Sequence, residues 1–277
     1  VPRFGAALEN EIHTLIEEAS RLRTEASQLK KIAICTFEKL CNIPLSKALH
    51  SYPSPQFSCV NSKGLAERMD STYFIPSCIG SRAAFDQLPD QKNLGEIASV
   101  FIPNIFKRQY SSDPTFGYPY ITGADVFCIR PGSNQFLMKS VAKEYQLVLE
   151  DGMILLHEAG QRYGLIGRGV MVGRTLAGFS CTNNMVRVTP HDSKETGYVF
   201  TVLSSEHGIR LLKREAAGSS IPHLDVTRVR SISIPWPSGT IRSEIAKSMI
   251  RARSNWDKAV ELEDQVDAIL NSVISKQ

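Results

Sequence analysis

Three short stretches approach the motifs of enzyme active sites, and none of them is complete. The sequence DPTF at residues 113–116 approaches the motif with which amino-methyltransferases hold a flipped base, but a threonine replaces the second proline. His157 and Glu158 begin a zinc-protease motif, whereas Gln161 stands where the second zinc ligand is required. The glycine-rich residues 160–169 lack the lysine of a nucleotide-binding P-loop. The sequence therefore predicts no catalytic residue, metal site or cofactor.

Arginine and amide side chains in the same region indicate a different chemistry, the recognition of DNA. Between His157 and Arg187 the only acidic residue is Glu158, while arginine, asparagine and hydroxyl side chains recur. Arginine can bind guanine through two hydrogen bonds, asparagine can bind adenine in the same way, and both can contact phosphates. The alternative is a solvated charged surface without a ligand. The predicted DNA-facing residues are Lys107, Arg108, Tyr110, Arg162, Arg168, Arg174, Asn183 and Asn184.

Two long helices are expected to flank the region that holds these residues. Residues 6–40 contain neither glycine nor proline, and their apolar or alanine positions recur in alternating steps of three and four, typical of a coiled-coil seam. Residues 240–275 repeat the pattern after a proline-rich stop. The two seams would pair either with each other, antiparallel within one chain, or with another subunit. The predicted helix-interface residues are Ile12, Ala19, Ala26, Leu29, Ile245, Ala252, Ala259 and Leu262.

The middle of the chain is rich in glycine, proline and serine and lacks helical periodicity. Short runs of β-type residues predict strands at 118–122, 126–130, 146–149, 153–156, 169–172, 185–188 and 231–234, and helices are expected near 81–87 and 197–214. The predicted fold class is α+β, a globular mixed α/β domain flanked by two long coiled-coil-forming helices. The predicted boundaries are 1–42 for the first helix, 43–237 for the globular domain and 238–277 for the C-terminal helix.

Composition narrows the class of protein. The chain has 277 residues, of which 42% are hydrophobic and 22% charged, with a net charge of +4. These values are those of a globular protein rather than a disordered one, and no apolar run approaches the ~18 residues of a membrane span. The six cysteines show no CxxC spacing, and residues 1–5 do not resemble a signal peptide. We therefore expect reduced thiols and a cytoplasmic location, without a membrane partner.

Seven short motifs follow one another in order between the two predicted helices. They are RMDSTYFIP (68–76), LGEI (94–97) with FKRQY (106–110), GYPYITG (117–123), LEDGMIL (149–155), GLIGR (164–168), GSSIPHL (218–224) and ISIPWP (232–237). In this order the motifs resemble the specificity (S) subunit of type I restriction–modification enzymes. The resemblance is to its second half, which comprises the central conserved helix, one target-recognition domain and the C-terminal conserved helix.

The resemblance implies a non-catalytic protein whose target-recognition domain reads one half of a split sequence in double-stranded DNA. The long helices would set the spacing between half-sites and bind DNA methyltransferase (modification) subunits that methylate adenine. A motor-nuclease restriction subunit would join them for cleavage. Because a full S subunit has two recognition domains, these residues correspond to a fragment, to a half-length subunit that forms a homodimer, or to a domain of a fused enzyme.

Two other functions remain open from the residues alone. In the first, the helices themselves are the function, and the chain is a coiled-coil assembly scaffold without DNA sequence preference. In the second, residues 113–116 belong to a methyltransferase, although an ordinary Asp-Pro turn is the simpler interpretation of that stretch.

Overall fold

A computed structural model describes residues 4–42, 57–66, 68–218 and 220–275 of the chain. Its helices are α1 (Ala6–Leu40), α2 (Ser62–Leu65), α3 (Pro76–Asp86), α4 (Leu94–Ile97), α5 (Lys139–Glu144), α6 (Thr196–Ser204), α7 (Glu206–Glu215), α8 (Val226–Arg230) and α9 (Gly239–Ile274). Its strands are β1 (Gln91–Asn93), β2 (Ala98–Phe101), β3 (Tyr110–Ser111), β4 (Gly117–Ile121), β5 (Phe136–Met138), β6 (Ile154–His157), β7 (Gly169–Met171), β8 (Ser180–Cys181), β9 (Met185–Pro190), β10 (Ala216–Ala217), β11 (His223–Leu224) and β12 (Ser233–Pro235). The predicted α+β fold class is confirmed.

Helices α1 and α9 pack against each other in antiparallel orientation within the chain. Arg23 bonds Glu263 through two nitrogens, at 2.8 and 2.6 Å. Further along α1, residues 33–37 share a core with Ile245 and Met249 of α9, so that rising numbers on one helix meet falling numbers on the other. The two seams therefore pair with each other inside one chain, which was one of the two predicted alternatives.

The predicted seam residues differ in how closely they are packed. Ala19 and Ala259 are buried in one cluster against the partly buried Leu262. Ala26, Ala252 and Ile245 are also buried. Ile12 and Leu29 are half-buried. Small alanine side chains at the centre of the pair allow the two backbones to approach closely, because they occupy little space between the helices.

The ends of the helix pair nearest the domain are part of its main hydrophobic core. Phe37 of α1 is fully buried and meets Phe85 and Tyr198 edge to face, with ring centroids 6.1 and 6.2 Å apart. Edge-to-face aromatic pairs stabilise by about 0.5–1.5 kcal/mol beyond the area they bury. Residues on both sides of the predicted boundary at position 42 therefore share one core.

A second contact joins the helix pair to the domain farther out. The guanidinium of Arg23 donates to the backbone carbonyl of Ile129, at 3.0 Å, and also lies 4.6 Å from the ring of Trp256. The adjacent Arg130 forms ion pairs with Asp264 and Asp267 of α9. The loop at 129–130 thus bonds to both helices.

Two four-stranded sheets form most of the domain beside this pair, and β1 with β12 and β10 with β11 form two smaller sheets in the described ranges. The first four-stranded sheet has the strand order β2-β9-β6-β7 with all neighbours antiparallel, and the second has the order β3-β5-β4-β8 with β4 and β8 parallel. Alternate residues of β9 face opposite sides, as strand geometry requires. Val186 and Val188 belong to the main core, whereas Met185 belongs to a smaller core with Ile121 and Leu155.

Two predicted strands are wrong, and the helical stretch predicted at 197–214 is present as two helices, α6 and α7. Residues 125–127 form a 3-10 turn instead of a strand because the Asp125 carboxylate accepts hydrogen bonds from both the amide and the hydroxyl of Thr122, at 2.7 Å each. Residues 146–149 form no strand apart from one isolated bridge at Val148. The helix expected at 197–214 breaks at Ser205, whose hydroxyl caps α7 by accepting from the amide of Gly208.

None of the helices in the described ranges combines the length and the hydrophobicity that a membrane span requires.

Candidate nucleic-acid interface

Three segments leave the first sheet at the same end of its strands. His157 at the end of β6 pairs with Met185 at the start of β9, and Phe101 at the end of β2 pairs with Arg187. Residues 102–109, 158–168 and 182–184 therefore emerge side by side, and we call these three segments the loop edge. Loops held by a rigid sheet are where recognition residues are commonly found.

Lys107, Arg108 and Tyr110 form an exposed basic and aromatic group at one side of the loop edge. The Nε of Arg108 donates to the hydroxyl of Tyr120 at 3.2 Å, and this hydrogen bond raises the pKa of Arg108. The rings of Tyr110 and Tyr120 meet edge to face with centroids 5.7 Å apart. Lys107 and Arg108 are both exposed. A cation held beside aromatic rings can contact phosphate or stack on a base.

Arg168 presents a positive charge directly before β7, on the opposite side of the loop edge from the segment that follows β2. Its backbone is fixed, since the carbonyl accepts from His157 at 2.8 Å, whereas its guanidinium has no bonding partner within the described ranges. Burial, and after it the charge of Arg168, lowers the pKa of both Lys30 and Lys213. Three cations near one another favour an anionic ligand, because they repel each other in its absence.

Asn183 and Asn184 occupy the short loop between β8 and β9. Asn184 is exposed and Asn183 half-buried. The backbone carbonyl of Asn184 accepts from the amide of Glu158 at 3.3 Å, which joins this loop to the 158–168 segment. The Glu158 carboxylate contacts His223 Nδ1 at 2.7 Å. Glu158, the one acidic residue between His157 and Arg187, thus has a partner. The other polar side chains named at the loop edge are amides and cations.

Arg162 and Arg174 have partners inside the chain. Arg162 donates to the carbonyls of Lys213 and Ala216 at 2.8 and 2.7 Å. Arg174 lies beyond the opposite end of β7 and forms an ion pair with Glu261 of α9 at 2.9 Å. The Arg174 side chain therefore does not lie at the loop edge, and the Arg162 guanidinium is hydrogen-bonded to backbone carbonyls at the end of α7.

Residues 113–116, which approach a methyltransferase motif, form a turn that is stabilised by the side chain of Asp113. The Asp113 carboxylate accepts from the amide and the hydroxyl of Thr115, both at 2.8 Å, and these hydrogen bonds lower its pKa. This is the capped turn expected of an Asp-Pro sequence. The described part of the chain holds no group of three His, Cys, Asp or Glu side chains that could bind a metal ion.

Arg187 is the residue that sequence reasoning left out. It ends the basic stretch and is not among the predicted DNA-facing residues, and the structure buries it completely. As a residue type it does not differ from the exposed arginines nearby, and its burial follows from its position on β9, which lies between β2 and β6.

Comparisons with known proteins find likeness in structure only. No protein-family model matches the chain, and no curated protein matches it. The chain is similar to S subunits of type I restriction–modification systems. The S subunit from M. genitalium is 14% identical with a TM-score of 0.49, over 97% of this chain and 57% of that one. The HsdS subunit from Thermoanaerobacter tengcongensis is 14% identical with a TM-score of 0.46, over 96% of this chain and 56% of that one.

A type IIG restriction endonuclease, BpuSI, is also similar, at 10% identity and a TM-score of 0.47, over 75% of this chain and 35% of that one. The chain spans a little over half the length of the S subunits it matches.

Proposed function

We propose that this chain recognises a short sequence in double-stranded DNA, as one recognition unit of the specificity subunit of a type I-like restriction–modification enzyme. The observation that carries the proposal is the loop edge. It places the unpartnered guanidinium of Arg168 and the exposed side chains of Arg108 and Asn184 on adjacent loops of one rigid sheet. Arginine and asparagine are the side chains that read guanine and adenine through paired hydrogen bonds.

In this proposal the chain itself catalyses no reaction. DNA methyltransferase subunits would methylate adenine at the recognised site, and a motor-nuclease subunit would cleave the DNA. Such a complex acts in the cytoplasm, in keeping with six cysteines that are all free. The 35 residues of α1 span about 52 Å, or about one and a half turns of DNA, and would hold a second recognition unit at a fixed distance.

The scaffold alternative needed free helix seams. Ala19 and Ala259 are instead buried against each other's helix within the chain, so that this seam is closed without a partner. A partner protein would have to use the outer faces of the pair, where Ile16 and Ile32 are exposed.

The test of the proposal is a selection from a pool of randomised duplex DNA by the purified chain at two salt concentrations. We expect a fixed motif of about three to five base pairs and an affinity that falls about tenfold or more from low to moderate salt. Two copies of the motif at a fixed spacing would indicate a homodimer. Failure to enrich a motif, both alone and with the modification subunit present, would favour the scaffold.

Replacing Arg168 by alanine is expected to weaken binding to the selected DNA by about 1–3 kcal/mol, since an arginine that reads a base contributes that much. Binding constants measured by fluorescence anisotropy would check it. Arg251→Ala is the matched control, because Arg251 is a 66% exposed arginine on α9 and its loss changes the net charge equally. Equal effects of the two substitutions would mean that Arg168 contributes only to the general charge.

A further inference from the structure

Arg187 is a buried cation without an acidic partner. It lies on β9, the second strand of the first sheet, and none of its side chain is exposed. No carboxylate of the described residues forms an ion pair with it, and its Nε has no hydrogen-bond partner there. Burial lowers the pKa of Arg187 to about 10, so that the group remains charged near neutral pH. Because burying a charge is costly, its retention calls for a reason beyond filling space.

The contacts of Arg187 supply that reason. One terminal nitrogen donates to the carbonyl of Met185 at 2.9 Å, and the other donates to the carbonyls of Cys181 and Thr182 at 3.1 and 3.2 Å. Cys181 and Thr182 precede the Asn183–Asn184 loop, and Met185 follows it. One planar guanidinium therefore bonds to both ends of a very short loop. Neutral side chains of similar size have fewer donors in that fixed arrangement.

Backbone contacts also hold this loop, among them the hydrogen bond of 3.3 Å from the amide of Glu158 to the carbonyl of Asn184. The amide of Thr182 donates to the carbonyl of Ile121 at 3.1 Å, and the amide of Asn184 lies 3.5 Å from the hydroxyl of Thr182. The second distance is at the outer limit for a hydrogen bond. At the Met185 end of the turn, the guanidinium adds a hydrogen bond of 2.9 Å to the pairing of Met185 with His157 in the sheet.

We propose that Arg187 is a positioning residue that fixes the Asn183–Asn184 loop in the geometry required to read bases. The DNA part of this inference rests on the proposed function, whereas the clamping of the loop does not. A role in reading bases requires side chains held close to one geometry, which exposed loops lack unless contacts beneath them supply it.

Hydrogen exchange in the absence of DNA tests the clamp. In Arg187→Met we expect the amides of residues 182–185 to exchange at least about tenfold faster, since a loop that loses its anchors opens more often. The amides of β6 are expected to keep their rates. Arg230→Met is the control, because Arg230 also donates two hydrogen bonds to a backbone carbonyl, that of Val100. Unchanged loop exchange in folded Arg187→Met would overturn the clamp.

Arg187→Lys provides a second variant if the methionine variant does not fold. It keeps the charge, but a single ammonium group cannot reproduce the forked donors of a guanidinium, and the same acceleration of loop exchange is expected. A lysine variant with loop exchange equal to that of the unsubstituted chain would show that charge alone is sufficient and would overturn the proposal.

The DNA selection then tests the role in reading. We expect Arg187→Met to lower the ratio of specific to non-specific affinity by about tenfold or more, while salt-dependent binding to unrelated DNA changes less than about twofold. Selection of the same motif with the same preference would overturn the reading role. If the unsubstituted chain selects no motif, both alone and with the modification subunit present, the proposed function fails, and the exchange experiment still decides the clamp.

Discussion

Replacement of Phe37 by alanine is expected to lower the free energy of unfolding by about 3–5 kcal/mol. Phe37 is fully buried where α1 meets α3 and α6, and its ring contacts Phe85 and Tyr198. Alanine would leave a cavity among side chains that are already close-packed, and it would remove two aromatic contacts at once. Denaturant unfolding followed by circular dichroism would give the change.

Ile16→Ala is the control for this prediction, since Ile16 lies on the same helix with 44% of its surface exposed. It is expected to change the free energy of unfolding by less than about 0.5 kcal/mol, as exposed substitutions usually do. Similar small effects of both substitutions would show that α1 docks on the domain without belonging to its core.

Asp257→Ala is expected to lower the free energy of unfolding by about 3–5 kcal/mol, because it leaves the half-buried guanidinium of Arg253 without its acidic partner. The Asp257 carboxylate is buried on α9 and also accepts from the hydroxyl of Thr175 at 2.7 Å and from the amide of Arg174 at 3.1 Å. These contacts fasten α9 to the turn after β7. A Cβ at Gly173 would meet the side chains of Arg253 and Asp257, so that a larger residue there would displace this ion pair.

The effect of Asp257→Ala depends on pH in a defined direction. Burial alone would raise the pKa of Asp257, but hydrogen bonds from Arg253 and Thr175 outweigh it, and the net pKa lies below its ordinary value. The carboxylate therefore contributes its stabilisation above the unfolded pKa of about 3.9, and this contribution is lost as the pH falls through the lower folded pKa. The difference from the unsubstituted chain should be constant near neutral pH and shrink below about pH 4.

Glu261→Ala is the matched control, since Glu261 forms an exposed ion pair with Arg174 one turn farther along α9. Exposed pairs contribute about 0–1 kcal/mol, and we expect a loss within that range. A cost for Asp257→Ala no larger than that of Glu261→Ala would contradict the role assigned to the buried carboxylate.

The elements set by local patterns could be predicted from the sequence, and α1 is the clearest of them. Its heptad pattern predicts residues 6–40, the bounds that the structure has, and the second helix differs by one residue at each end. Seam periodicity is a local property of the chain. Which partner closes the seam is not local, and the antiparallel pairing appears only when the domain brings the two helices together.

The site was predicted less well because its geometry depends on distant contacts. Arg174 and Arg168 are indistinguishable as letters, yet Arg174 meets Glu261, 87 residues away, while Arg168 has no such partner within the described ranges. Arg187 carries a charge that ordinarily predicts exposure, and only the carbonyls that converge on it explain its burial. The strand predicted at 126–130 failed for a simpler reason, since one carboxylate, that of Asp125, stabilises a turn.

The contacts made by Arg23 and Arg130 have a mechanical consequence. Fixed only where Phe37 enters the core, the outer part of α1 would be a cantilever about 46 Å long, whereas the support at Arg23 shortens the free length to about 26 Å. Because the bending of a rod at its tip grows steeply with the unsupported length, the contact at Arg23 limits how far the outer end of α1 can be displaced. The far end of the helix pair therefore keeps a defined distance from the loop edge.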